Sequence, residues 1–366
     1  MRLARAHSIR LHTFCDLAWP KKQIWTRDID KSADREILEV LARKTATPPR
    51  RVFAATLRKY EGRVYERLIA NSNSPWIMPI GVYHRKRRRF GLQFCPKCLA
   101  EDKDPYFRCR WRLAFVTVCE KHRCLLQDRC SQCGEPICFH RTPPDAETII
   151  LCPQCGFDLS TIKEQSDGTL TAQASILNLL LRIATTGWVL IPGQGPVYSH
   201  LYFAVLRQII KVLARKKAWE ATNLLLRQLS ISVRFSDSIK YQHDVELMGL
   251  HDRLALVELA WHLLNVWPNN FIQFCRQHQI WSSELLRDMR LGIPFWYWRM
   301  VNESLYHPSY GPTDKEILEA SKYLRKKGML LSKRKVSKVL GVREVCRKRK
   351  KTKEENLSKN DLSRTF

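Results

Sequence analysis

The feature that most limits this chain is a set of closely spaced cysteine pairs. Cys95-Pro-Lys-Cys98 is followed, after twenty intervening residues, by Cys119-Glu-Lys-His122; Cys130-Ser-Gln-Cys133 is followed, after eighteen, by Cys152-Pro-Gln-Cys155. Two ligands on one tight turn can bite a single ion, and a second such turn closes its remaining corners, so each set suits a tetrahedral zinc. Pro96, Gly134, Pro153 and Gly156 make such turns easy. One expected site is Cys95, Cys98, Cys119 and His122, and the other is Cys130, Cys133, Cys152 and Cys155. Both fill all four corners with protein, which suits a structural ion rather than a catalytic one. Metal binding then contributes on the order of 10 kcal/mol to folding of this block.

The competing reading is a disulfide cluster. Residues 1 to 14 carry Arg5, His7, Arg10 and His12 where a secretory signal needs an unbroken apolar stretch. Nor does any segment approach the roughly 20 apolar residues of a membrane helix. A reducing compartment is therefore expected, and there thirteen cysteines are better explained by metal than by disulfides. Six cysteines stay outside the two sets. Cys109, Cys124 and Cys138 lie within the block and could substitute for a ligand, whereas Cys15, Cys275 and Cys346 stand apart from it. His140 reads as a surface residue.

At 366 residues the chain exceeds what one compact core usually holds, and composition divides it into four stretches. Residues 1–91 are expected to form an amino-terminal helical domain. Ile37, Leu38, Leu41, Val52, Phe53, Leu57 and Tyr60 keep helical spacing between Asp34 and Leu68, broken at Thr45-Ala-Thr-Pro-Pro. That is the skeleton of a helix-turn-helix, although any pair of packed helices shares it. Residues 92–165 hold the tandem zinc block. Residues 166–310 read as helical, with Ile176, Leu179, Leu180 and Ile183, then Leu201, Val205, Ile209 and Val212, then Leu254, Leu256, Leu259, Leu263 and Leu264 as core stripes. Trp261, Trp267, Trp281, Trp296 and Trp298 are expected chiefly in that core.

Residues 311–366 open with a capping box, Thr313-Asp-Lys-Glu316, and helical spacing from Ile317 to Leu324. Ser332 to Val342 reads as a second helix ended by Gly341, with Arg343 opening a third, the order of a helix-turn-helix. The fold class expected is thus mainly α with small zinc-ribbon elements, bounded by a helix-turn-helix at each end.

Lys and Arg number 63 against 35 Asp and Glu, a formal charge of +28 that makes a polyanion the default partner. Candidate DNA contacts are Arg85, Lys86, Arg87, Arg88 and Arg89, five cations in a row before the zinc block, and Arg343, Arg347, Lys348 and Arg349 at the carboxyl end. The last four read either as a recognition helix or as a flexible polybasic tail; phosphate contacts alone carry no sequence information. A nuclease or transposase would need carboxylates converging on metal, for which the chain shows no pattern, and Gly193-Gln-Gly195 lacks the lysine of a phosphate loop. The expectation is therefore a protein that is not an enzyme.

Phe94-Cys-Pro-Lys-Cys-Leu99, Tyr106-Phe-Arg-Cys-Arg-Trp-Arg112, Val118-Cys-Glu-Lys-His-Arg-Cys-Leu125, Cys130-Ser-Gln-Cys-Gly134 and Cys152-Pro-Gln-Cys-Gly156 together resemble the TniQ/TnsD family of bacterial transposon target-selection proteins. The likeness runs from the amino terminus to about residue 165 and includes Leu41-Ala-Arg-Lys-Thr45 and Arg51-Val-Phe53 of the helix pair. The Ser-Trp stretch that precedes Arg2-Leu-Ala-Arg-Ala-His in the family is missing, so a late start and a shortened first helix are expected. The resemblance implies a non-catalytic adaptor with two structural zinc ions, working at the bacterial nucleoid in the cytoplasm. Its implied partners are DNA, a transposon AAA+ ATPase, the transposase indirectly, and, for some members, a CRISPR effector complex with its guide RNA. A homodimer is compatible with this reading, and a membrane is not expected. Members find their site by reading an attachment sequence or by riding on the RNA-guided complex, and the residues do not separate these routes. The alternative function is a site-specific, zinc-containing transcription regulator.

Overall fold

The computed structural model describes residues 4, 6–22, 24, 27–70, 72–81, 88–138, 141–142, 148–162, 170–231, 233, 235–236, 244–289, 292–306 and 311–342. The chain divides into two compact units, Met1–Tyr306 and His307–Phe366.

Early in the first unit, among the described residues, lie the helices α1 (Leu11–Ala18), α2 (Ile29–Ser32), α3 (Arg35–Lys44) and α4 (Pro49–Ala54). Asp34 caps α3 by accepting from the Ile37 amide at 2.9 Å, and Pro49 sits in the first turn of α4, where its missing N–H costs nothing. Cys15, Trp19, Ile24, Ala33 and Ile37 bury a small core of their own. The α3–α4 pair and the break at Thr45 follow the sequence expectation, but the helical spacing to Leu68 does not hold. After a 3-10 turn at Leu57–Tyr60 the chain bends at Gly62, whose φ of +70° suits glycine, and Tyr65 turns back to donate from its hydroxyl to the Leu57 carbonyl.

Among the described residues, the cysteine-rich stretch holds little regular structure: α5 (Pro96–Glu101), 3-10 turns at Cys109–Arg112 and Leu159–Thr161, and isolated bridges. Helices then dominate. α6 (Leu170–Thr186) leads into a hairpin of β1 (Trp188–Ile191) and β2 (Gly195–Tyr198), followed by α7 (Ser199–Leu213), α8 (Trp219–Gln228), α9 (Leu250–Asn265), α10 (Asn269–Gln277), α11 (Ser282–Leu285) and α12 (Phe295–Ser304). The stripes on α6, α7 and α9 are buried as their spacing predicts, except that Leu179 and Leu201 are half-buried, and α9 packs against α6, α7, α8 and α10. The antiparallel hairpin, registered Trp188 to Tyr198, departs from the sequence expectation; Gly193 and Gly195 turn it with positive φ. Of the five tryptophans, Trp267 and Trp296 are buried, Trp261 and Trp281 are half-buried and Trp298 is exposed.

One apolar cluster runs from Leu57 to Leu305 and spans both the cysteine-rich stretch and the helices behind it. At its centre Phe115 stacks on Phe203 with ring centroids 5.0 Å apart, and Trp76 packs edge-on against both while donating from Nε1 to the Phe203 carbonyl at 3.0 Å. Glu246 accepts from the Trp76 amide and holds Arg207 through two contacts of 2.8 Å. Among the described residues, no helix is long and apolar enough to cross a membrane.

The second unit contains α13 (Asp314–Lys326) and α14 (Lys333–Val339) around Ala320, Leu324 and Val336. The Thr313–Glu316 capping box forms in both directions. Gly328 and Gly341, both at positive φ, close the helices with the paired backbone bonds of a Schellman motif, Met329 to Leu324 and Val342 to Ser337 among them. The third helix expected from Arg343 lies outside the described residues.

Candidate metal centres

Three of the four ligand turns are built on one backbone template. Cys119, Cys130 and Cys152 each accept at their carbonyl from the amide four residues on, at 2.8, 2.9 and 2.9 Å. Each also donates its own amide to the carbonyl five residues on, at 2.8, 2.9 and 2.8 Å. Bridges Val118–Leu125, Arg129–Pro136 and Leu151–Asp158 flank the three turns in the same way. The template requires a left-handed residue four positions after the first ligand, supplied by Gly134 (φ +70°) and Gly156 (φ +74°), but by Arg123 (φ +53°) in the first centre. The fourth turn is different. Cys95 caps α5, and its Sγ accepts from the Cys98 amide at 3.4 Å.

These turns bring each predicted set together. Cys95, Cys98, Cys119 and His122 have their ligand atoms within 4.8 Å of one another, and so do Cys130, Cys133, Cys152 and Cys155. In the first centre His122 Nδ1 lies 3.2, 3.4 and 3.6 Å from the sulphurs of Cys95, Cys98 and Cys119, and Cys98 lies 3.6 Å from Cys119. In the second, Cys130–Cys155 and Cys133–Cys152 are each 3.7 Å apart. A tetrahedral zinc bonded at ordinary lengths spaces its ligand atoms by about 3.5–3.8 Å, so both donor sets fit that ion. With four protein donors apiece, the two clusters could each hold a closed, structural ion.

The centres differ in burial. Cys95, Cys98 and Cys119 are sealed into the main core, whereas Cys133 and Cys155 reach the surface. Hydrogen bonds from Cys124, Cys95 and Cys98 hold the Cys119 thiol far below its ordinary pKa, while the contact with Cys119 pushes Cys98 up. His122 is oriented from behind: its Nε2 sits 2.9 Å from Glu101 Oε2, which keeps the proton on that nitrogen and the Nδ1 lone pair toward the sulphurs. Lys121 and His122 together hold the Glu101 carboxyl below its usual range. Glu101 escaped the sequence reading because only the end of α5 brings it to the histidine.

The remaining cysteines separate by position. Cys15 lies in the amino-terminal core and Cys275 in the main one. Cys109 is half-buried, and burial pushes its thiol up to about 11. Cys138 faces Gly81, where an added Cβ would come within 2.8 Å of its sulphur. Cys124 alone of these sits against a candidate centre, its Sγ 3.6 Å from that of Cys95. His140 and Cys346 lie outside the described residues.

Of the candidate DNA contacts, Arg88 donates to the Gly134 carbonyl at 2.8 Å, pairs with Glu135 at 3.4 Å and lies over Phe90. It thereby braces the first turn of the second centre. Arg89 lines a small cavity with the buried Arg253. Arg85, Lys86, Arg87, Arg343, Arg347, Lys348 and Arg349 lie outside the described residues.

No curated protein matches the chain. A family model described as TniQ matches residues 1–126. The matched span takes in the α3–α4 pair, α5 and the whole first centre, and stops before Cys130, short of the residue 165 to which the sequence resemblance extends. The amino-terminal third of the chain is thus similar to a TniQ domain.

Proposed function

We propose that the protein is a non-catalytic adaptor of DNA transposition that marks an insertion site and recruits a transposon AAA+ ATPase, and through it the transposase. The observation that carries this reading is the TniQ match over residues 1–126, because a TniQ domain suggests a transposition-associated adaptor. The charge of +28 supports DNA as a partner, and the two closed donor sets support zinc in a scaffolding role.

The reading includes a division of labour. The carboxyl-terminal helices and the basic segment after them bind DNA, and the amino-terminal helices receive the protein partner. A groove of about 1180 Å³ supports the second assignment: it is lined by Phe53 of α4 together with Tyr60, Arg63, Tyr106, Arg108 and Arg182, and Phe53 is 44% exposed. Aromatic and arginine side chains together are what protein interfaces select.

The test is co-purification of the tagged full chain with the ATPase and with a CRISPR effector complex, beside a footprint on chromosomal attachment DNA. Capture of the ATPase on DNA supports the adaptor. Capture of the effector complex assigns RNA-guided targeting, and a footprint without it assigns sequence reading. A footprint with no ATPase would move the protein to the regulator class, and metal-dependent DNA cleavage by the isolated chain would overturn the non-catalytic reading.

A further inference from the structure

Beside the four donors of the first centre lies a fifth thiol, Cys124, in contact with Cys95. Cys124 follows His122 by two residues and occupies the position that Glu135 and Phe157 hold on the other two turns of the same template. The turn therefore does not need a thiol there. Yet the Cys124 side chain is 1% exposed, with its sulphur 3.6 Å from that of Cys95. It lies against a ligand sulphur, within the same buried core.

We propose that Cys124 is a reserve ligand of the first centre, able to replace His122 and convert a three-thiolate, one-imidazole site into a four-thiolate one. The inference rests on the metal reading of that centre and not on the transposition reading. The exchange balances within the site. Cys124 gives up its thiol proton as its sulphur bonds to the ion. His122, its bond to the ion broken, takes that proton and becomes an imidazolium beside the Glu101 carboxylate already in contact with it. A fourth thiolate raises the preference for soft, thiophilic ions.

The experiment measures zinc per chain and the near-ultraviolet charge-transfer band of the cobalt-substituted full-length protein, in the wild type, Cys124→Ser, His122→Ala and the double variant. The expected result is two ions in the wild type and in each single variant, and one in the double variant, with a stronger sulphur-to-cobalt band in His122→Ala than in the wild type. Equal loss of one ion from His122→Ala and from the double variant overturns the proposal. If His122→Ala loses its helical circular dichroism, His122→Asn replaces it. Loss of structure in both, with Cys124 present, also overturns the proposal, because the reserve thiol has then failed to hold the centre. A wild-type chain without metal overturns the centres themselves and leaves the adaptor reading to its own test.

Discussion

Arg253 on α9 donates from Nη2 to Gln93 Oε1 at 3.0 Å, two residues before the first metal turn begins. The same guanidinium donates to the Ala114 and Met248 carbonyls, and Gln93 in turn donates to the Trp111 and Val116 carbonyls. Both side chains are at most 1% exposed. Burial lowers the Arg253 pKa to about 10, so at neutral pH it remains a cation met directly by neutral acceptors. A buried charge survives only where its hydrogen bonds are supplied, and here they come from the stretch that matches TniQ as well as from α9's own approach.

Removing that guanidinium leaves the Gln93 and Ala114 oxygens buried without a donor. Arg253→Met should therefore lower the unfolding free energy by roughly 3 kcal/mol although it fills the same space with apolar atoms. Urea unfolding followed by circular dichroism measures it. The companion expectation is that a chain cut after residue 165 fails to fold cooperatively, since Phe115 and Trp76 would lose Phe203 and the rest of the helical side of the core. A sharp two-state transition in that fragment would refute the shared core.

The two centres should release their ions at different rates. Cys133 and Cys155 stand at the surface and the first centre's sulphurs do not, so a chelator is expected to remove one ion quickly and the other only as the fold opens. Stopped-flow chelation should show two phases. Cys133→Ser should abolish the fast phase and halve the zinc content while leaving the slow phase intact.

Glu101→Gln tests the support behind His122. The amide cannot hold the imidazole proton as the carboxylate does, so affinity at the first centre should fall about 10-fold to 100-fold while the second centre is unchanged. Competition with a chromophoric chelator reads both sites at once.

The surface position of Phe53 separates recruitment from stability in a way that its neighbour does not allow. Val52 is 4% exposed, so Val52→Asp should unfold the helix pair; Phe53→Asp should leave it folded and, on the proposed division of labour, weaken ATPase capture while DNA binding persists. Retained helicity with full ATPase capture would remove the groove from the proposal.

How much of this was legible depends on whether the determining contacts are local. The metal pairs, the Thr313 capping box and the stripes of α6, α7 and α9 are set by spacings within a few residues, and the sequence displays them. The hairpin was hidden because both of its faces are largely apolar: Val189 and Ile191 pack inward, yet Trp188, Leu190 and Tyr198 face out, so no alternation marks the strands. The false extension of helix toward Leu68 came from Leu57 and Tyr60 falling on helical spacing, which the Tyr65–Leu57 bond overrides. Nothing local marks Arg253 as buried, and partners 139 and 160 residues away help make it a core residue.

Arg123 offers the last test, because it is the one turn residue that departs from the template. Its φ of +53° lies in the left-handed region, where a side chain costs on the order of 1 kcal/mol and glycine costs far less. The two sister positions are glycine. Arg123→Gly should therefore stabilise the metal-loaded protein by about 0.5–1 kcal/mol, less whatever chain freedom glycine adds to the unfolded state. The reverse changes should run the other way. Gly134→Ala and Gly156→Ala meet no atom within 4 Å of the new Cβ, so any loss they cause is conformational rather than steric, again about 1 kcal/mol. Thermal unfolding of the three variants at fixed zinc concentration decides the matter. Destabilisation by Arg123→Gly comparable to that of the two glycine replacements would mean that the arginine side chain makes a contribution larger than the strain it carries.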